Sequence, residues 1–455
     1  MKALTLDSAY EKYSFGFALA ACLLLPLKLS FAYFCLVPVL LLWLGHIRLK
    51  FWNSLRTDSS LILPYAFFVL VALVSLPFGF DPLRSLNKLL GVAFFGLTLL
   101  AFRDICLVDT KRCERLLITL VGGQTLAALY SVIEGAFGPA IPRILIGAVS
   151  ESGQLAQTVL VAGGFLILYS RSPLDNSGPG AVRRKVDSLL GLVNFCAFTA
   201  LALASASQVR SSVFAVELLL ASLLLFVSLA RLKRFWKYDS QFSDHCANFL
   251  KTIALPLLMA ALIVNLKRGP WMGVLVAALI LLWLERRVLA VPVLLVAGLL
   301  LGTVKPVQQR LLSSEEHFFI VGGRSEIWDI GVELAKRFPM GVGYRNSNSL
   351  QKFSELVPPN LTHFHNNILN VLVETGWLGL AVYLWWILSI LKAAFAKVSV
   401  RRDRILRESL GCAILSWQIA GLVEYNFGDS EVVLVALILT GILAAIVAKP
   451  TAAIS

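Results

Sequence analysis

Residues 430–448 read SEVVLVALILTGILAAIVA, and this stretch indicates the fold class. After Glu431 it contains no charged residue, and as a helix rising about 1.5 Å per residue it would cross the hydrocarbon core of a bilayer, which is about 30 Å thick. Similar apolar runs recur at about residues 14–28, 30–46, 60–79, 87–102, 116–136, 155–170, 188–207, 211–229, 249–266, 270–285, 288–305, 365–391 and 408–425. The sequence therefore predicts an all-α, polytopic integral membrane protein with about 12 to 14 transmembrane helices.

The composition excludes a soluble globular protein. Of the 455 residues, 58% are hydrophobic and 15% are charged, whereas soluble domains are about 45–50% apolar and about 25% charged. The mean hydropathy is +0.79. The seven cysteines form no CxxC pair and no cluster with histidine, so the sequence predicts neither a disulfide framework nor a metal site.

The net charge of +14 has a topological explanation. If the N-terminus is cytoplasmic, 27 of the 41 Lys and Arg residues fall in inner loops and 14 in outer loops, as expected when basic residues are retained inside. No basic and aromatic cluster stands apart from these loops, so we do not expect a nucleic-acid partner. Membrane lipids are the predicted surroundings.

One outer loop, residues 306–364, is much longer than most other outer connections and divides the chain. We predict N-terminal transmembrane helices over 1–305, a large periplasmic loop over 306–364 and C-terminal transmembrane helices over 365–455. Loops of this length are usually functional. Within it, residues 324–338 have the apolar spacing of an amphipathic helix, and Pro339 is expected to end that helix.

Ionisable residues next to the hydrocarbon are costly, so they are candidates for a functional role. At the outer ends of the predicted spans these are Arg210, Lys267, Arg268, Arg324 and His365. Arginine can donate two parallel hydrogen bonds to a phosphate and keeps its charge when partly buried, so the group is typical of an anion site. Alternatively, each arginine could extend to the lipid headgroups, and His365 could simply cap a helix.

His365 is the candidate general base, because a neutral imidazole titrates near the working pH and nearby arginines would keep it unprotonated. If a helix starts within 362–366, residues two apart point about 200° away from each other, so only one of His363 and His365 can face the arginines. Glu374 follows nine residues later, on the opposite helix face. We therefore expect Glu374 to lie outside this site, with a buried partner or beside a helix break at Gly376.

Three motifs resemble those of the O-antigen ligase and polymerase superfamily. The stretch HNNILNVLVETGWLGL (365–380) is similar to a family signature in which His-Asn precedes GxxG by nine residues. GGRSEIW (322–328) with FPMGVGY (338–344) resembles the pattern of the long family loop. SQVRSSVF (207–214) resembles an SR element at the outer end of a span, altered here between its serine and its arginine.

This resemblance implies a metal-independent, GT-C-type membrane glycosyltransferase without a cofactor. It would lie in the bacterial inner membrane with its active site on the periplasmic side, and we expect a monomer. The donor would be a glycan on undecaprenyl pyrophosphate. By the resemblance, His365 is the catalytic histidine and Arg210 and Arg324 hold the pyrophosphate, with Arg268 as the reserve candidate.

Three functions compete. An O-antigen ligase, which we favour, would transfer the glycan to a sugar hydroxyl of lipid A-core. An O-antigen polymerase would join lipid-linked repeat units, and the sequence does not separate it from a ligase because both need the same donor site. A secondary transporter is less favoured, because transporters place ionisable groups near the bilayer midplane and commonly contain internal repeats, whereas here the groups gather at the outer ends.

Overall fold

The computed structural model describes most of the chain. It covers residues 6–47, 59–137, 152–169, 181–206, 223, 225, 227–228, 242–265, 267–303, 308–309, 311–313, 318–319, 323–352, 355, 357 and 361–448. Of the described residues, 87% are helical, and none lies in a strand. The prediction of an all-α fold is confirmed.

Seven helices whose bounds the structure describes lie in the N-terminal half. They are α1 (Leu6–Leu24), α2 (Leu29–Ile47), α3 (Ser59–Val74), α4 (Pro82–Val108), α5 (Thr110–Phe137), α6 (Ser152–Tyr169) and α7 (Ala181–Ala206).

Eight further helices follow. They are α8 (Phe242–Phe249), which continues through a π-helical turn (Leu250–Ala254) into α9 (Leu255–Val264), then α10 (Arg268–Glu285), α11 (Ala290–Thr303), α12 (Arg324–Arg337), α13 (Asn367–Ala394), α14 (Arg401–Ala420) and α15 (Ser430–Ala448). Short 3₁₀ turns lie at Leu76–Phe78, Arg287–Leu289, Ser347–Lys352 and Asn426–Gly428.

The chain is a multi-pass membrane protein. Among the described residues, nine helices are long and apolar enough to cross a membrane, and three shorter apolar helices accompany them. The first predicted run, at 14–28, overlaps one of the shorter helices, Tyr13–Leu24. The predicted run at 211–229 lies almost wholly outside the described residues.

The stretch that opened the sequence analysis forms the core. In α15, residues 432–446 are all buried, which is the expected environment of a helix that is apolar all round. It packs mainly against α4 and also contacts α6 and α14. Helices farther out expose large apolar side chains such as Phe34 and Val288, as expected of surfaces that face lipid.

Ion pairs show which helix ends lie together. Arg402 at the start of α14 binds Glu114 near the start of α5, with Nε 2.6 Å from the carboxylate. Arg404 binds Glu285 at the end of α10 at 2.8 Å. The charge pattern assigned these segments to the same membrane side, and the contacts join them at one end of the bundle. Which end faces the cytoplasm stays a prediction.

The amphipathic helix of the long loop is confirmed. It spans Arg324–Arg337, with Phe338 as its C-cap, because Pro339 cannot continue a helix. Leu334 and Ala335 are buried and cluster with apolar residues of α13, among them Leu369. This packing holds α12 against the start of α13 and therefore places Arg324 beside it.

Candidate active site

A loop of residues 339–346 docks into a break in α13. Gly376 has φ +72°, outside the helical region, so the carbonyl groups before it accept bonds from this loop. The amide of Val342 donates to the Val373 carbonyl at 2.9 Å, and Gly343 donates to the Glu374 carbonyl at 3.0 Å. A Cβ at Gly376 would collide with the carbonyl oxygen of Pro339. The predicted break at Gly376 is confirmed.

Glu374 has the buried partners that were expected. Its side chain is 1% exposed. The carboxylate accepts a hydrogen bond from Ser347 Oγ at 3.0 Å and from the Tyr425 hydroxyl at 3.2 Å. Since Ser347 follows the docked loop and Tyr425 lies between α14 and α15, one buried carboxylate joins two segments distant in sequence.

The two histidines lie side by side, contrary to the argument that only one of them can face the arginines. Residues 361–366 are not helical; α13 begins at Asn367, and Asn366 caps it by accepting a bond from the Leu369 amide at 3.0 Å. In a segment that is not helical, the helical rotation of about 100° per residue does not separate side chains two apart, and the His363 and His365 ring centroids are 4.1 Å apart. His365 itself has φ +49°.

Asn366 and Asn367, the asparagines of the motif, fix a second loop, residues 421–429. Asn366 donates to the Leu422 carbonyl at 3.0 Å. The Asn367 side chain donates to Asn426 Oδ1 at 2.6 Å and accepts from the Phe427 amide at 2.9 Å. These bonds hold the 421–429 loop, which carries Tyr425, over the start of α13.

Tyr425 connects Glu374 with the histidines. Its ring lies 5.7 Å from the His363 ring, inclined by 30°, while its hydroxyl binds Glu374. The expectation that Glu374 stands apart from the site is therefore wrong. A continuous helix would have turned it away, but the break in α13 and the folded-back 421–429 loop connect it to His365 through three contacts.

Burial and neighbouring charge keep both histidines neutral at pH 7. Burial is the largest cause and lowers the pKa of His365 to about 4, with further contributions from His363 and Arg324. The pKa of His363 is also lowered, by burial and then by the charges of Arg324 and Arg345. Arg324, the first residue of α12, is thus close enough to influence both rings.

The basic residues at the start of α10 belong to the same cluster. Burial raises the pKa of Glu424 in the 421–429 loop, while Lys267, Arg324 and Arg268 act to lower it. Because Arg268 and Arg324 act on one carboxylate, the structure brings together two of the three arginines selected from the sequence. The third, Arg210, lies outside the described residues.

Sequence reasoning missed Arg345. It has φ +61° and follows the glycine-rich GVGY turn. Its guanidinium lies over the Tyr425 ring, 5.5 Å from the centroid, and donates to the Gly428 carbonyl. The position of this arginine, just after two closely spaced glycines, could have marked it as a candidate site residue. Tyr425 lies at the end of an apolar run, and nothing in the sequence marked it as a candidate.

The charges of this end suit an anion that is bound beside a group to be deprotonated. Arg268, Arg324 and Lys267 supply positive charge, and His363 and His365 supply neutral imidazoles beside it. Within the described part of the chain, no group of three or more His, Cys, Asp or Glu residues is arranged to hold a metal ion. The expectation of a metal-free reaction stays a prediction.

Comparison with known proteins agrees with the motif resemblance. Residues 253–384 match the family model described as O-antigen ligase. The match extends from the π-helical turn before α9 into α13 and so includes Arg268, Arg324 and His365, whereas Arg210 and Tyr425 fall outside it. No curated protein matches the chain. Over these residues the chain is therefore similar to the O-antigen ligase and polymerase superfamily.

Proposed function

We propose that the protein is an O-antigen ligase that transfers a glycan from undecaprenyl pyrophosphate to a sugar hydroxyl of lipid A-core. The observation that carries this proposal is that Arg324 lies beside two neutral histidines and, together with Arg268, near Glu424 at one end of the bundle. The matched family supplies the reaction class, and the site supplies groups for its two requirements: a bound leaving group and a base.

The arginines would bind the pyrophosphate. Guanidinium groups form paired hydrogen bonds with phosphate oxygens, and charge on the leaving oxygen grows as the glycosidic bond breaks. Arg324 and Arg268 would stabilise that charge, and such preorganised stabilisation is usually the largest contribution to catalysis. Arg210 remains a third candidate by its motif alone.

His365 would act as the general base. The acceptor hydroxyl oxygen attacks the anomeric carbon, the bond from that carbon to the pyrophosphate oxygen breaks, and the hydroxyl proton passes to a ring nitrogen of His365. In the free protein a pKa of about 4 makes this imidazole a weak base. A bound pyrophosphate would offset the charge of Arg324 and raise that pKa, so His365 would gain basicity when the donor is present.

The proposed location is the bacterial inner membrane, with the site on the periplasmic face. This proposal is supported by the position of the site, which lies opposite the helix ends joined by Arg402 and Arg404, in loops that the charge pattern assigns to the outside.

Labelling of a single introduced cysteine tests this orientation. Ser347 is buried and therefore unsuitable for the substitution, whereas Glu326 is exposed. Glu326→Cys should react with an impermeant thiol reagent once the outer membrane is opened; reaction only after inner-membrane lysis would reverse the orientation.

Gene deletion separates the ligase from the polymerase. If the protein is the ligase, the mutant lacks polymer on lipid A-core while lipid-linked polymer still accumulates. A single repeat unit left on the core would instead identify a polymerase. An unchanged lipopolysaccharide pattern on the gel would contradict both. As a matched control, the wild-type gene should restore the lipopolysaccharide pattern, whereas the His365→Asn gene should not. Asparagine is chosen because it tolerates the left-handed backbone at this position.

A further inference from the structure

We infer that Glu374 and Tyr425 are positioning residues that hold the histidine pair in place for transfer. The inference rests on the proposed function, because it assigns these two residues a role in that reaction. Neither residue needs to touch the substrate. Their role would be to fix His363, and through it His365.

The first contact is the buried hydrogen bond. Glu374 Oε2 lies 3.2 Å and Oε1 3.4 Å from the Tyr425 hydroxyl. The carboxylate is itself fixed by Ser347 and by its position beside the break in α13. Since the carboxyl group is buried and held by Ser347, its bond to the hydroxyl sets the position of the tyrosine ring.

The second contact is between rings. Tyr425 lies 5.7 Å from His363, and His363 lies 4.1 Å from His365. His363 is further restrained by Thr362, whose hydroxyl is 2.9 Å from Nδ1. Glu374 is therefore connected to His365 through one hydrogen bond and the contacts between three rings.

Arg345 also restrains Tyr425. Its guanidinium lies over the ring and donates to the Gly428 carbonyl, so the tyrosine is held both at its hydroxyl and at its ring face. The left-handed conformation of His365 supports the same interpretation. A non-glycine residue with positive φ persists only when its surroundings enforce it. If Tyr425 and His363 were mobile, His365 would not be held in this conformation.

The test compares Tyr425→Phe and Glu374→Gln with Tyr169→Phe in purified protein given a lipid-linked donor. Tyr425→Phe keeps the ring but loses the bond to Glu374. Tyr169→Phe is the control, because the Tyr169 hydroxyl donates to Glu114 at the same distance, 3.2 Å, at the opposite end of the bundle. We expect kcat to fall by about 10- to 10²-fold in the two test variants with KM for the donor unchanged, and both parameters to stay near wild type in the control.

A double variant tests whether the two residues act in one path. Glu374→Gln with Tyr425→Phe should lose no more activity than the worse single variant, since coupled residues are not additive. Equal kcat in Tyr425→Phe and Tyr169→Phe would overturn the inference. A parallel rise in KM, or loss of kcat only in proportion to lost folded protein, would also overturn it. No transfer by the wild-type protein would instead contradict the proposed function.

Discussion

The two ends of the bundle use charge differently. At the end where α14 begins, arginines and carboxylates form close pairs: Arg402 with Glu114 at 2.6 Å and Arg404 with Glu285 at 2.8 Å. At the opposite end, Arg324 acts on two neutral histidines as well as on Glu424. The paired end stabilises the packing of helices, whereas the other end concentrates positive charge beside a potential base.

This contrast identifies the functional end more clearly than the residue types do. Arginine, glutamate and histidine occur at both ends, since His46 stacks on Tyr10 at the paired end with ring centroids 4.2 Å apart. The two ends differ in the groups that lie next to their arginines. Substitutions matched between the ends can therefore break or sharpen the comparison.

The largest expected effect is at His365. Removing a general base costs about 10²–10⁴-fold in rate, so His365→Asn should lose nearly all glycan transfer by purified protein. His363→Ala should lose less, because that ring supports the base and does not accept the proton. His46→Ala at the paired end is the control and should keep its activity. Comparable activity in the His365 and His46 variants would remove the base from the proposal.

A smaller effect is expected from the break in α13. Gly376→Ala forces alanine into a positive-φ conformation that is essentially restricted to glycine, which costs about 1–3 kcal/mol, and its methyl group would meet the Pro339 carbonyl. We expect a lower unfolding temperature in detergent and reduced transfer, since the 339–346 loop would shift. Gly298→Ala is the control because no atom lies within 4 Å of its added Cβ. Equal stability of the two variants would mean that the break tolerates a side chain.

The smallest effect concerns pH. Protonation inactivates a base, so kcat/KM should fall as the pH drops through the pKa of His365 in the free protein, about 4. Arg324→Gln removes a charge that lowers this pKa, so the acid limb of kcat/KM should move to higher pH. Arg404→Gln, at the paired end, should leave it in place. An acid limb that is the same in all three proteins would separate Arg324 from the base.

Much of the helical fold could be predicted from the sequence. The apolar runs predict the spans, the spacing of residues 324–338 predicts α12 within one residue, and the glycine at 376 marks the break in α13. These features depend on local composition and on backbone limits, which a single sequence records. The long loop and its place before α13 follow from the same pattern.

The arrangement of the site depends on contacts that local patterns do not record. The start of α13 at Asn367 was misjudged, although Asn366 is a preferred N-cap type directly before an apolar run. That error separated His363 from His365 in the prediction. The link from Glu374 to Tyr425 spans 51 positions and requires the 421–429 loop to fold back, which no motif in the sequence predicts.

Binding of undecaprenyl pyrophosphate without a glycan tests the central claim most directly, because it needs neither the acceptor nor the chemical step. The Kd of purified protein would be measured for wild type, Arg324→Lys and Arg404→Lys. Lysine keeps the charge but loses the paired geometry, so we predict that the Kd rises about tenfold for Arg324→Lys, equivalent to about 1.4 kcal/mol, and stays at the wild-type value for Arg404→Lys. Equal affinity in all three proteins, or a greater loss at Arg404, would contradict the assignment of the pyrophosphate to the Arg324 end.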